Sequence, residues 1–150
     1  MLTSCQLEAA VIDGKTCEYR AAVGLRRTKN PVRLARSMLS SAGLCFLAGS
    51  VADDLAARNG LEMVENSHFT TSKRKSYWDA NVTRINAAAE GHGTVGAAAL
   101  DVHGNLAAAN STGGTMFKSV GRVGDTAIVG AGIYADDEVA IVWCVPSSIL

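Results

Sequence analysis

Gly93-Thr94-Val95-Gly96-Ala97-Ala98-Ala99-Leu100-Asp101-Val102-His103-Gly104-Asn105-Leu106-Ala107-Ala108-Ala109-Asn110-Ser111-Thr112 reads as two apolar runs folded back at His103-Gly104. Its side chains are almost all small, which predicts close packing from both faces, as in a buried central strand. Asp125 to Val129 is a further strand expectation. The stretch also marks a change of texture along the chain. Residues 1–93 carry 12 Lys/Arg and 9 Asp/Glu, residues 94–150 only 2 and 5, and ten of the 15 glycines lie between Gly91 and Gly132.

Upstream, Glu8 to Leu25 predicts a second hairpin, with Asp13-Gly14 between two apolar runs as a type I′ turn whose central residues take positive φ. Asn30-Pro31 opens a helix, Asn as the cap and Pro in the first turn, with Val32, Leu34, Ala35, Met38 and Leu39 near helical spacing and Gly43 as its stop. A second helix is expected from Ser50 to Arg58, with Val51, Leu55 and Ala56 on one face and Gly60 beyond. Leu44 to Ala48 reads as a short buried strand, Ser72 to Ser76 as a solvated basic face, and Asp79 to Glu90 as a linker or loose helix.

The chain has 150 residues, 48% hydrophobic and 19% charged, with zero net charge at pH 7. That composition is globular and excludes a disordered or collagen-like chain, and the charge balance argues against a nucleic-acid or polybasic membrane binder. Cys5, Cys17, Cys45 and Cys144 form no CxxC pair and stand near no zinc-spaced His, so they read as buried thiols of a reducing compartment. Without a basic, apolar leader or an 18-residue apolar run, the sequence reads as soluble and cytoplasmic.

Two nucleotide-like patterns fail on context. Gly91-His-Gly93-Thr-Val-Gly96 follows a polar linker and precedes a strand, where a dinucleotide loop must follow a strand and open a helix. Ala9 to Thr16 ends in Gly-Lys-Thr but carries stiff Val11 and Ile12 where a phosphate cradle needs freedom. Gly93-Thr94 has a different chemistry. A threonine at a chain's own N-terminus carries its base in the α-amino group, whose ordinary pKa is about 7.7–8.0. Exposing it requires scission after Gly93, and glycine leaves that carbonyl open.

His92 to Gly114, Gly121-Arg-Val-Gly-Asp125 and Gly130-Ala-Gly-Ile-Tyr-Ala135 closely resemble the plant-type L-asparaginases/isoaspartyl peptidases, which are N-terminal-nucleophile hydrolases. Leu7 to Gly14 and Lys29 to Arg36 extend the resemblance into the first half. The resemblance implies an α+β fold of the αββα four-layer sandwich type. It further implies autocleavage at Gly93-Thr94 into an α-part, 1–93, and a β-part, 94–150, whose family match ends near residue 141. Thr94 would be the nucleophile, Thr112 would hydrogen-bond and tune it, Arg122 would hold the substrate α-carboxylate and Asp125 its α-ammonium. The implied reaction is hydrolysis of the L-asparagine side-chain amide, or of β-aspartyl dipeptides, through a β-aspartyl ester on Thr94. No metal or cofactor takes part, and full-length members would assemble as (αβ)2 from α/β heterodimers.

Two departures temper the resemblance. The chain begins inside the family's second hairpin, without the loop for a structural sodium ion, and after Ile141 it lacks the Thr-Gly-x-Gly-Glu segment. The expectation is a chain truncated at both ends. Its alternative is a catalytically inactive fragment acting at most as a binding or modulating partner of full-length copies.

Overall fold

Leu7–Asp13 and Glu18–Leu25 are rich in Ala, Val and Ile on both faces, and they form β1 and β2, an antiparallel pair at the centre of the fold. The computed structural model describes residues 4–41, 43–83 and 93–144. The remaining elements are α1 (Pro31–Met38), β3 (Phe46–Ala48), α2 (Ser50–Arg58), a 3-10 turn at Asn66–Phe69, α3 (Ser72–Asn81), β4 (Thr94–Leu100), β5 (Leu106–Thr112), β6 (Ile133–Ala135) and β7 (Ala140–Val142). One five-stranded sheet runs β3-β2-β1-β5-β4, antiparallel except for the β2–β3 edge, and β6 pairs with β7 in a separate two-stranded sheet.

The two faces of the large sheet carry different layers. Leu7, Ala22 and Leu25 pack against Leu34 and Met38 of α1 and Ala52 and Ala56 of α2. Ala10, Ile12, Ala21, Val23 and Ala108 pack on the opposite face against Ala127, Ile133 and Ala135, so that the small sheet covers them. Among the described residues the order is therefore helices, five-stranded sheet, two-stranded sheet. The chain is α+β, as its sequence indicates.

Several local expectations are corrected. The β1–β2 connection is a four-residue loop, Asp13 pairing with Glu18, and its left-handed residue is Cys17 with φ 53°. The Asp13 carboxylate takes Lys15 N and Thr16 N, an Asx-type turn that displaces the type I′ geometry. Gly14 is required for another reason: a Cβ there would strike the carbonyl oxygens of Asp136 and Leu106. Asn30 makes no side-chain cap, and α1 ends at Met38, well before Gly43. The chain tightens there into i→i+3 bonds, Leu39 N to Arg36 O and Ser41 N to Met38 O, where serines disfavour helix.

The predicted limits of α2 coincide with those observed, but its inward face is Ala52, Asp53 and Ala56, while Val51 is 57% exposed. Asp53 turns the helix. Its carboxylate accepts from Arg26 N, Arg27 N, Thr28 N and Thr28 Oγ1, which satisfies the chain leaving β2. β3 is an exposed edge strand, since only β2 flanks it. The segment Asp125–Val129 is a turn rather than a strand, because Ile128 N bonds back to Asp125 O. β4 is not central: it ends the sheet and is largely exposed, with Val95 at 70% and Leu100 at 68%. Its small residues instead let β7 approach, for a Cβ on Gly96 would strike Val142 and Asn110. The cysteines are not buried either; Cys17, Cys45 and Cys144 are exposed and Cys5 half-buried, all as free thiols.

Tyr19 donates its hydroxyl to Ala127 O and ties β2 to the turn before β6. Burial pushes this phenol up to about 12, and the nearby Cys45 adds to the shift. The sign follows: with the folded pKa above the unfolded value of about 10, the contribution is complete below pH 10 and fades as pH rises through about 12. Alkaline unfolding of Tyr19→Phe should therefore lack a loss of stability that the parent shows over that window. Asp53→Ala should cost about 2–4 kcal/mol in urea unfolding, because four buried or half-buried donors lose their acceptor at once.

Candidate functional site

The site is built on one row across the sheet. Glu8 of β1 lies opposite Thr112 of β5, and Thr112 lies opposite Thr94 of β4, so the three share the face covered by the small sheet. Thr94 is the first residue of its strand and follows Gly93 directly. Its Oγ1 lies 3.1 Å from Thr126 Oγ1, and Thr126 is 1% exposed. Thr112 Oγ1 accepts from Gly114 N at 3.0 Å, which bends the chain away at the end of β5. Among the described residues, the hydroxyl within hydrogen-bond distance of Thr94 is thus that of Thr126, while Thr112 stands beside it in register.

Asp125 precedes Thr126, and its Oδ2 is buried without a hydrogen-bond partner among the described residues. A carboxylate oxygen in that condition is suited to a cationic group arriving from outside. Gly132 permits the turn, since a Cβ there would strike the Asp125 carbonyl. Arg122 sits on the same segment with an exposed side chain, its Nη1 3.6 Å from where a Cβ of Gly124 would be. Among the described residues no hydrogen bond joins it to Thr94. The structure therefore brings Gly93, Thr94, Thr112, Thr126 and Asp125 together and leaves Arg122 at the solvent side of the loop.

A buried ion pair holds that loop. Lys118 Nζ donates to Glu8 Oε1 at 3.1 Å, with side-chain exposures of 5% and 1%, and Gly124 N donates to Glu8 Oε2 at 3.0 Å. One carboxylate on β1 therefore fixes two points of the 113–125 segment, before and after Arg122. Sequence reading passed over Glu8, Lys118 and Thr126. Glu8 did carry a signal, an acid inside the otherwise apolar run Leu7–Ile12, which requires a partner when the strand is buried.

Beside the row, Arg74 of α3 donates from Nη2 to Gly114 O at 3.2 Å. It lines a cavity of about 250 Å³ with Cys5, Trp78, Gly113, Phe117 and Lys118, where Trp78 and Phe117 stack with centroids 4.6 Å apart. Arg74 thus departs from the solvated face expected of Ser72 to Ser76, being half-buried while its four neighbours in that run are exposed. His103 is exposed, and His92 lies outside the described residues. Among the described residues no group of three His, Cys, Asp or Glu side chains could hold a metal ion, and no helix is long and apolar enough to cross a membrane.

Lys118→Met should lower stability by about 3–5 kcal/mol in urea unfolding, because it leaves Glu8 charged and unpaired in the interior. The double variant Glu8→Leu/Lys118→Met should recover much of that loss, since no lone charge then remains buried.

Residues 3–145 match the family model described as asparaginase. The isoaspartyl peptidase/L-asparaginase of Xenopus laevis is 39% identical over 140 residues, covering 91% of this chain and 45% of the relative. The isoaspartyl peptidase of Escherichia coli K12 is 38% identical over 151 residues, covering 93% of this chain and 46% of the relative. The human isoaspartyl peptidase/L-asparaginase is 36% identical over 141 residues, covering 91% and 46%. The chain spans somewhat less than half the length of these relatives. With a family model matched over nearly all its residues, the chain belongs to the asparaginase family.

Proposed function

We propose that this chain carries the nucleophile and part of the substrate site of a threonine hydrolase acting on the side-chain amide of L-asparagine and on β-aspartyl dipeptides. The observation that supports it best is the placement of Thr94. Thr94 follows Gly93 directly, and its hydroxyl is in hydrogen-bond contact with Thr126, the neighbour in sequence of Asp125, whose carboxylate Oδ2 has no partner among the described residues.

In the first stage the Thr94 hydroxyl attacks the Gly93 carbonyl, and cleavage frees the Thr94 amine. That amine then serves as base for the same hydroxyl. Thr126 orients the Thr94 oxygen, and Thr112 supports it from the neighbouring strand. Asp125 receives the substrate ammonium and Arg122 its carboxylate, a pairing that selects the head group of a free amino acid. Attack on the side-chain carbonyl releases ammonia or an amino acid and leaves a β-aspartyl ester on Thr94, which water hydrolyses to aspartate. The hydroxyl and amine supply nucleophile and base, so the reading calls for no cofactor.

Parts 1–93 and 94–150 would remain joined as an α/β pair after cleavage, because β1 belongs to the first and is hydrogen-bonded to β5 of the second. The helix, sheet, sheet order among the described residues supports an αββα sandwich as the arrangement proposed for the complete enzyme, with (αβ)2 assembly and a cytoplasmic setting. A competing reading is an uncleaved chain that pairs with longer copies. The exposed apolar edge of β4, with Val95 and Leu100, favours it.

Denaturing gels with N-terminal sequencing separate the two. The enzyme reading expects a new N-terminus at Thr94 in the parent and an intact 15.6 kDa band in Thr94→Ala; an intact parent favours the competing reading. Ammonia release from L-asparagine should vanish in Thr94→Ala and should rise with pH toward about 8, as the Thr94 amine loses its proton. Thr126→Val should lower kcat about tenfold, equivalent to ~1.4 kcal/mol, with Thr126→Ser close to the parent. Unchanged kcat in Thr126→Val would remove Thr126 from the mechanism.

A further inference from the structure

Among the described residues, Arg74 is the one cation that is neither exposed nor paired with a carboxylate. Arg20, Lys29, Lys75 and Lys118 each have an acidic partner, and the remaining described Lys and Arg side chains are exposed. Arg74 is half-buried, and among the described residues its side chain bonds only to the Gly114 carbonyl. A guanidinium offers five donors, so most of its capacity is unused.

Its surroundings identify the missing partner. A Cβ placed on Gly93 would lie 3.6 Å from Arg74 Nη1, 3.8 Å from Thr112 Oγ1 and 3.9 Å from Gly114 O. The guanidinium therefore faces the residue whose carbonyl is cut. The adjoining cavity of about 250 Å³, lined by Arg74 and Gly113, offers room for an additional polar group. Backbone contacts hold Arg74 in place from its own end too, since Thr71 Oγ1 accepts from Arg74 N at the start of α3.

We propose that Arg74 is the binding site for the carboxylate that cleavage leaves on Gly93, an anchor that retains the end of the α-part beside the active centre. The proposal rests on the cleavage reading above. In that reaction the Thr94 oxygen bonds to the Gly93 carbonyl carbon, the Gly93–Thr94 C–N bond breaks, and the hydroxyl proton ends on the Thr94 nitrogen. One water then splits the ester, restoring the Thr94 hydroxyl and leaving a carboxylate on Gly93. Before cleavage the guanidinium donates to the neutral Gly114 carbonyl; afterwards it would face an anion of opposite charge, held by charge-assisted hydrogen bonds. Pairing also draws negative charge away from the new Thr94 ammonium, which must lose its proton to act as base.

A thermal-unfolding cycle on the full chain tests the anchor. Arg74→Gln is compared with the parent in two backgrounds: the self-cleaved protein and the uncleaved Thr94→Ala protein, which has no Gly93 carboxylate. Loss of the Gly114 contact is common to both and cancels. The anchor predicts a Tm about 3–6 °C lower for Arg74→Gln in the cleaved background only, with the difference shrinking in 0.5 M NaCl. Arg74→Lys, which keeps a charge but loses the fork, should recover part of it. Equal shifts in both backgrounds, or none in the cleaved protein, would overturn the anchor while leaving the cleavage reading intact. A parent chain that never cleaves would overturn both.

Discussion

A single carboxylate, buried in the middle of an apolar strand, organises the functional half of the molecule. Glu8 cannot be solvated where it sits, so it must be neutralised and hydrogen-bonded from within the protein. Lys118 and the Gly124 amide do this, and both come from the irregular segment after β5. That segment contains Arg122 and leads into Asp125 and Thr126, which otherwise have little regular structure to position them. The same residue that would be costly alone thereby fixes where the loop crosses the sheet. Because Glu8, Thr112 and Thr94 lie in one cross-strand row, the loop is positioned relative to the head of β4.

Close approach is the second constraint. Gly14, Gly96 and Gly132 each lie where a Cβ would collide with neighbouring atoms; the first two mark approaches between the large sheet and the small one, and Gly132 the approach of the small sheet's start to the turn at Asp125-Thr126. The small sheet packs on Ala10, Ala21 and Ala108, side chains too short to hold the layers apart. The helix face uses bulkier contacts, with Leu25, Leu34 and Met38 fully buried. Polarity follows the same division, because the row of Glu8, Thr112 and Thr94 lies under the small sheet and the loop that precedes it.

Charge placement separates scaffold from chemistry. The ion pair of Glu8 and Lys118 is complete, whereas the buried oxygen of Asp125 and the guanidinium of Arg74 each lack a partner of opposite charge among the described residues. Unmet polar groups of this kind are expensive to retain for stability alone. Both lie close to the Gly93-Thr94 bond, Asp125 by way of Thr126 and Arg74 beside Gly93.

Local pattern was legible where a residue acts on its own backbone or through short-range periodicity. The β1–β2 and β4–β5 hairpins, the limits of α2, and Thr94 at the start of a strand all follow from neighbours in the chain. The details that failed depend on distant partners. Asp53 rotated α2 because the chain leaving β2 needed an acceptor, and Asp136 rather than turn geometry required Gly14. β4 resembled a buried strand because its side chains are small, yet its burial depends on what covers it, which no single strand records. The sequence by itself determined the α+β class, the family and the Gly93-Thr94 pair, since these reside in contiguous residues. Only the tertiary structure decided that Thr126 meets the Thr94 hydroxyl, that Glu8 holds the loop and that Arg74 faces Gly93, because hydrogen bonds and charge pairs depend on distance in space, and these partners lie 19 to 116 residues apart in the chain.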